Sequence, residues 1–262
     1  MNRRDGQEAE AAGAAHSRRG AGSSSPLTTR RYSRLRERIH TSAAALLSRT
    51  VRPLWYAEAL VLSARYQQFL ASAGWAQDSV RYSDRVTLWE TAAEPRLRGS
   101  NSTVMEFGVA EGLATRWWAG RATPFAAWHG FDTFEGLPTA WVRGEVPVMS
   151  AGAFKPKAGI GALPHIEAPF PLTWHRGFIE ETLPGFGRPD TSLFVLVDVD
   201  LLEPTSVILD WLTRNGRPGD LVYFDEAFDP WNEGLGIRRA ISSGLEMRAI
   251  AHTGSALLVR LT

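Results

Sequence analysis

Four stretches of this 262-residue chain carry residues that could do chemistry together. Val104-Met105-Glu106-Phe107-Gly108-Val109-Ala110-Glu111-Gly112 is an apolar run that ends in an acid and opens into a Gly-x-x-x-Gly turn. Phe125 to Phe131 ends at Asp132, 24 residues after Gly108. Leu193 to Val197 closes on Asp198-Val199-Asp200, and Leu221 to Phe224 closes on Asp225-Glu226. Each reads as a buried strand that stops at carboxylates, and ligands of open α/β sheets bind outside those strand ends.

The glycines narrow the ligand. A backbone without Cβ atoms lets a ligand approach, and a helix starting at Gly112 can pack close to its strand. The spacing is not the Gly-x-Gly-x-x-Gly that seats a pyrophosphate on a helix N-terminus, so a nicotinamide dinucleotide is disfavoured. An adenosine without phosphates fits better, and S-adenosylmethionine is the common one. Asp132 then sits where an acid accepts hydrogen bonds from both ribose hydroxyls; its alternative role is to cap the following turn.

The elements that must position these residues follow from periodicity. Residues 1–30 are rich in Ala, Gly, Ser and Arg and predict a disordered tail rather than a transit peptide, since Asp5, Glu8 and Glu10 interrupt it. Residues 31–100 predict a helical cap or dimer surface. Its two helical runs are Leu35 to Leu47 and, after Pro53, Leu60 to Leu70, with a stop at Gly74, and a short helix covers Ser83 to Glu90. From residue 101 onward, strands alternate with helices at about 112–120, 204–214 and 233–244, ending in two closing strands, Met247 to Ala251 and Ala256 to Leu261. The fold class is α/β, a doubly wound, mostly parallel sheet. Residues 136–172 are Gly- and Pro-rich and read as a long irregular excursion, a lid or substrate wall, with Trp141 and, further on, Trp231 as walls of a substrate pocket.

Composition excludes several classes. The chain has no Cys, so no disulfide and no thiolate metal site. No apolar run approaches the ~18 residues of a membrane span. Net charge is +1, but residues 1–40 hold nine Arg against four acids, which leaves the remainder mildly acidic and implies no nucleic-acid groove. A cytoplasmic protein acting on a small molecule is expected, and 27 Arg against two Lys is the composition of a GC-rich bacterial genome.

With these stretches lined up, the chain resembles the macrocin O-methyltransferase-like group of class I S-adenosylmethionine-dependent methyltransferases. The resemblance rests on Glu106-Phe107-Gly108-Val109 with Gly112, and on Gly130-Phe131-Asp132-Thr133-Phe134-Glu135-Gly136-Leu137-Pro138. It continues through Gly177-Phe178 with Glu181-Thr182-Leu183-Pro184, Asp198-Val199-Asp200-Leu201 with Thr205, and Pro218-Gly219 with Phe224-Asp225-Glu226. It implies a seven-stranded sheet whose last strand is antiparallel. It implies cofactor contacts from Glu106, Phe107, Gly108, Gly112 and Thr115, with Asp132 on the ribose and Thr133, Phe134, Gly177 and Phe178 near the adenine. It implies a magnesium ion held by Asp198, Asp225 and Glu226, with Asp198 and Asp200 at the catalytic centre. The family's two aspartates are here Asp225-Glu226, and its Asp-Leu-Tyr is Asp200-Leu201-Leu202.

Three clustered carboxylates repel unless a cation or proton intervenes, and their hard oxygens suit magnesium better than zinc or copper. The expected reaction is metal-assisted O-methylation of a small-molecule hydroxyl. The alternatives are N-methylation or metal-free O-methylation on the same fold, and a non-catalytic module that binds S-adenosylmethionine. A general base, if one is needed, would be Asp200 or one of His129, His165 and His175.

Overall fold

The computed structural model describes residues 51–262 other than Ala122; the expected tail and the first helical run, Leu35 to Leu47, lie outside the described residues. Helix α1 (Val51–Ser72) ends just before Gly74, as the sequence suggests, and buries Leu62, Tyr66, Phe69 and Leu70. A two-residue strand, β1 (Val80–Arg81), follows. The short helix expected at 83–90 runs further: α2 (Arg85–Leu88), capped by the Asp84 side chain on Thr87 N–H, passes through a π-helical turn (Trp89–Ala93) into α3 (Glu94–Leu97).

The remaining elements are β2 (Thr103–Phe107), α4 (Leu113–Ala119), β3 (Ala127–Asp132), β4 (Trp141–Arg143), β5 (Val146–Met149), β6 (Leu172–Arg176) and α5 (Ile179–Thr182). After them come β7 (Leu193–Val197), α6 (Leu202–Asn215), β8 (Leu221–Phe224), α7 (Glu233–Ser242), β9 (Met247–His252) and β10 (Leu257–Leu261). The main sheet runs β1-β9-β10-β8-β7-β2-β3-β6. All pairs are parallel except those of β10, which is antiparallel to both neighbours. The sheet therefore has eight strands rather than seven. The extra one, β1, is too short to show a period, and it pairs through Val80 and Arg81 with Ala251 and His252. The excursion at 136–172 is not wholly irregular either, because β4 and β5 form an antiparallel hairpin of their own.

Successive residues of the buried strands serve opposite faces, which is why β2, β7 and β8 read as continuous apolar runs. Met105, Phe107, Val195, Val197, Val222 and Phe224 pack with α1, α5, α6 and α7 on one face. Val104, Phe194, Leu196 and Tyr223 pack with α2, the π-turn, α3 and α4 on the other. Within α6, Thr205, Ile208, Leu209, Trp211 and Leu212 are buried, the spacing of one helical face. Among the described residues no helix is long and apolar enough to cross a membrane.

Beside the sheet's outer strands, His129 of β3 and His175 of β6 form a pair, Nδ1 to Nε2 at 3.0 Å, and His175 stacks on Phe131. Burial lowers the pKa of both, with the neighbouring His175 adding to the effect on His129. A histidine whose folded pKa lies below its unfolded value of about 6.5 favours the fold above that value, and this contribution fades as pH falls below it. Thermal melts should therefore show a Tm that drops between pH 7.5 and 5.5, with a shallower drop in His129→Gln/His175→Gln. An identical pH slope in the two proteins would contradict the assignment.

Candidate functional site

The tips of four parallel strands lie side by side. Phe107 pairs with Phe131 and Val197, and Val197 with Phe224, so the ladders end level. Backbone bonds continue past the strands: Gly108 N–H to Phe131 C=O at 3.0 Å, Asp198 N–H to Phe107 C=O at 2.9 Å, and Asp225 N–H to Val197 C=O at 3.0 Å. They hold Glu106, Asp132, Asp198, Asp200, Asp225 and Glu226 around one cavity of about 660 Å³, within the range of small-molecule sites.

Gly108 has φ +86°, and a Cβ there would lie 1.8 Å from the Asp198 carbonyl oxygen. The glycine is thus required by the close approach of two strand tips as well as by any ligand. Glu106 is buried, and its Oε2 accepts from Thr115 Oγ1 and, at 2.9 Å, from Trp128 Nε1. Burial pushes its pKa up to about 7, against these two donors.

Asp132 receives two backbone donors, Phe134 N–H on Oδ1 at 2.7 Å and Ala110 N–H on Oδ2 at 2.8 Å. It does cap the turn after β3, and it also ties that turn to the glycine loop. Each oxygen keeps a second lone pair, and Asp132 lines the cavity together with Thr133, Gly177 and Phe178. Four expected cofactor contacts are placed elsewhere. Phe107 is fully buried against Phe131, Thr115 sits beneath the cavity as the donor to Glu106, and Phe134 is buried with its ring against Trp174. Gly112 is roofed by Ile166 and Pro164 instead of lining the cavity.

The acid cluster divides in two. Asp225 is held by Arg85 Nη1 at 3.3 Å and by the Tyr223 hydroxyl, while Glu226 is held by Arg143 Nη2 at 3.0 Å. Among the described residues the carboxylates of Asp198 and Asp200 have no hydrogen bond or ion pair. Burial first, then the neighbouring Asp225, raises the pKa of Asp200 to about 7 and that of Asp198 well above the carboxylate range. Glu226 rises to about 8 through burial, with Arg143 opposing. These hard oxygens suit magnesium in kind, but among the described residues no group of three or more His, Asp or Glu is arranged to hold an ion. The expected ligand set of Asp198, Asp225 and Glu226 is not assembled, because two of its members are turned onto guanidinium groups.

Several contributors were not expected from the sequence. Glu233, fully buried at the start of α7, accepts from Val199 N–H at 3.4 Å and from Glu226 N–H at 2.9 Å, and so bridges the β7 and β8 tips. Asp229, also fully buried, receives Trp141 Nε1, Arg143 Nε, Asn232 Nδ2 and the N–H groups of Trp231 and Asn232. It fastens the β4–β5 hairpin to the loop after β8. Trp141 lines the cavity as expected, whereas Trp231 packs against Gly144 and beneath Arg65. Trp89, Trp117 and Tyr223 complete an aromatic wall. His129 and His175 face each other, and neither they nor His165 line the cavity.

No protein-family model matches the chain, and no curated protein matches it. Among solved structures, the chain is similar to the calicheamicin methyltransferase CalS11, with 21% identity over 93% of this chain and 99% of that one and a TM-score of 0.48. It is also similar to the O-methyltransferase NovP (17% identity, 67% of this chain, 77% of that one, TM-score 0.41). A third is TomG from Streptomyces achromogenes, an O-methyltransferase of tomaymycin synthesis solved with SAM (18%, 77% and 89%, TM-score 0.39). All three scores fall below 0.5.

Two substitutions test the geometry. Gly108→Ala must push the β2 and β7 tips apart, and should cost at least the roughly 1–3 kcal/mol of an overpacked core in a denaturant titration. Asp229→Ala strips a buried carboxylate from five donors and should cost about 3 kcal/mol or more, with faster amide exchange across Trp141–Met149. Wild-type stability in either variant, or unchanged exchange in the second, would contradict these roles.

Proposed function

We propose that this chain is an S-adenosylmethionine-dependent methyltransferase whose acceptor is a hydroxyl on a small molecule. One observation carries the reading: Glu106, the Gly108 turn and Asp132 share a cavity with the acid cluster at the tips of β7 and β8. The first three offer what an amino-acid-bearing adenosine needs. Glu106 provides a buried carboxylate for an ammonium, and Asp132 has free lone pairs for ribose hydroxyls. Phe178, partly exposed at the rim, provides a ring for the adenine.

When bound, S-adenosylmethionine supplies a methyl group on a sulfonium, and transfer requires the acceptor oxygen in line with the S–CH₃ bond, so placement contributes much of the rate. Trp89, Trp117, Trp141 and Tyr223 supply flat apolar walls suited to an aromatic ring or a sugar face. Asp200 and Asp198, unpaired among the described residues and beside the cavity, are positioned to accept a hydroxyl proton. Magnesium, with Asp198, Asp225 and Glu226 as its expected holders, is given no step in this proposal, because Arg85 and Arg143 occupy two of those carboxylates.

Titration calorimetry with S-adenosylhomocysteine should show a one-to-one complex in the micromolar range, weakened at least tenfold in Asp132→Ala. Labelled methyl groups should pass to members of a catechol and polyol panel. A cooperatively folded protein that binds no S-adenosylhomocysteine at millimolar concentration would sink the reading.

A further inference from the structure

The cavity is acidic. Among the described residues its lining holds eight carboxylates against three cationic side chains, Arg85, Lys155 and Lys157. Arg85 is committed to Asp225, and Arg143, which reaches in from the β4–β5 hairpin, to Glu226 and Asp229. The two lysines lie on an exposed segment that is tied to the glycine loop through Lys157 N–H and Glu111. Among the described residues neither pairs with an acid. That leaves Asp198 and Asp200 at the β7 tip, without hydrogen bond or ion pair among the described residues. Asp200 is only 8% exposed and borders the cavity. A carboxylate withdrawn from water to that degree, and given no donor by the fold, calls for one from a ligand, and a charged donor answers it best.

We infer that the acceptor is cationic, a small molecule that carries an ammonium group a few bonds from the hydroxyl to be methylated, with Asp200 as the partner of that ammonium. This rests on the proposed function and adds the charge of its acceptor. An ammonium suits this lining where a bare ion does not. It brings its own N–H donors and is satisfied by one or two carboxylates, whereas a magnesium ion demands a near-octahedral shell of oxygens. Trp89, Trp117 and Tyr223 wall the same cavity and leave apolar faces for the uncharged body of the molecule. Held protonated by Asp200, the nitrogen has no lone pair with which to take a methyl group, so oxygen remains the nucleophile. Asp198 is left to take the hydroxyl proton as the O–CH₃ bond forms and the S–CH₃ bond breaks with its electron pair on sulfur.

Titration calorimetry at pH 7, with S-adenosylhomocysteine saturating, compares two matched pairs: dopamine with 4-ethylcatechol, and glucosamine with glucose. At least one ammonium-bearing member should bind about tenfold or more tightly than its neutral partner, the worth of one hydrogen bond to a charged group. Asp200→Asn should cut that preference to about threefold or less. Asp200 has φ +60°, a left-handed backbone that Asn also adopts readily, so the variant keeps the turn, and a cooperative melt checks its fold. The wild-type comparison stands even if the variant does not fold. Mass spectrometry of labelled products should place the methyl on oxygen. Equal or absent binding within both pairs, a preference that survives Asp200→Asn, or a methyl on nitrogen overturns the inference. Binding of S-adenosylhomocysteine alone to the same preparations reads the function separately. A protein that binds it yet prefers neither amine keeps the methyltransferase reading and loses the cationic acceptor.

Discussion

Everything at the site depends on a row of backbone hydrogen bonds that continues the parallel ladders one residue past their ends. Gly108, Asp198 and Asp225 each donate to the last carbonyl of the neighbouring strand. These bonds stop the tips at one level, and the level is what brings six carboxylates to a single cavity. The arrangement tolerates no Cβ at position 108, since the Asp198 carbonyl already occupies that space.

Crowding carboxylates at the edge of a buried sheet is unfavourable unless each negative charge meets a donor or a cation. The fold supplies these unevenly. Asp229 is saturated by five donors, and Glu233 spends its oxygens on two backbone N–H groups, so both act as structural fasteners. Asp225 and Glu226 lean on arginines from remote segments. Asp198 and Asp200 are left facing the cavity, with pKa values raised by burial first and then by the neighbouring Asp225. Where the fold stops compensating charge is where a ligand has something to gain.

The strand tips were legible in the sequence because a buried parallel strand must be a continuous apolar run, and an acid ending such a run stands out. Leu193 to Val197 and Leu221 to Phe224 show this directly. Glu106, Asp132, Asp198, Asp200, Asp225 and Glu226 were all found that way. Side-chain direction was not legible. Phe107 and Thr115 flank the glycine motif but point into the core or beneath the cavity, as alternation and helix phase require. The arginines were hidden for a different reason. Arg85 and Arg143 lie 140 and 83 residues from their acid partners, and among 27 arginines nothing local marks them. The two-residue β1 and the β4–β5 hairpin escaped because pairing partners, not period, define strands so short.

The central claim is that the crevice beside Gly108 takes an adenosine-bearing methyl donor while the acids of β7 and β8 take its acceptor. A crystal structure grown with S-adenosylhomocysteine tests it most directly. The account predicts density for the nucleoside with its ribose hydroxyls in hydrogen-bond range of Asp132 and its sulfur facing Asp198 and Asp200. Density elsewhere on the protein, or a crevice closed by side chains at saturating ligand, would contradict it.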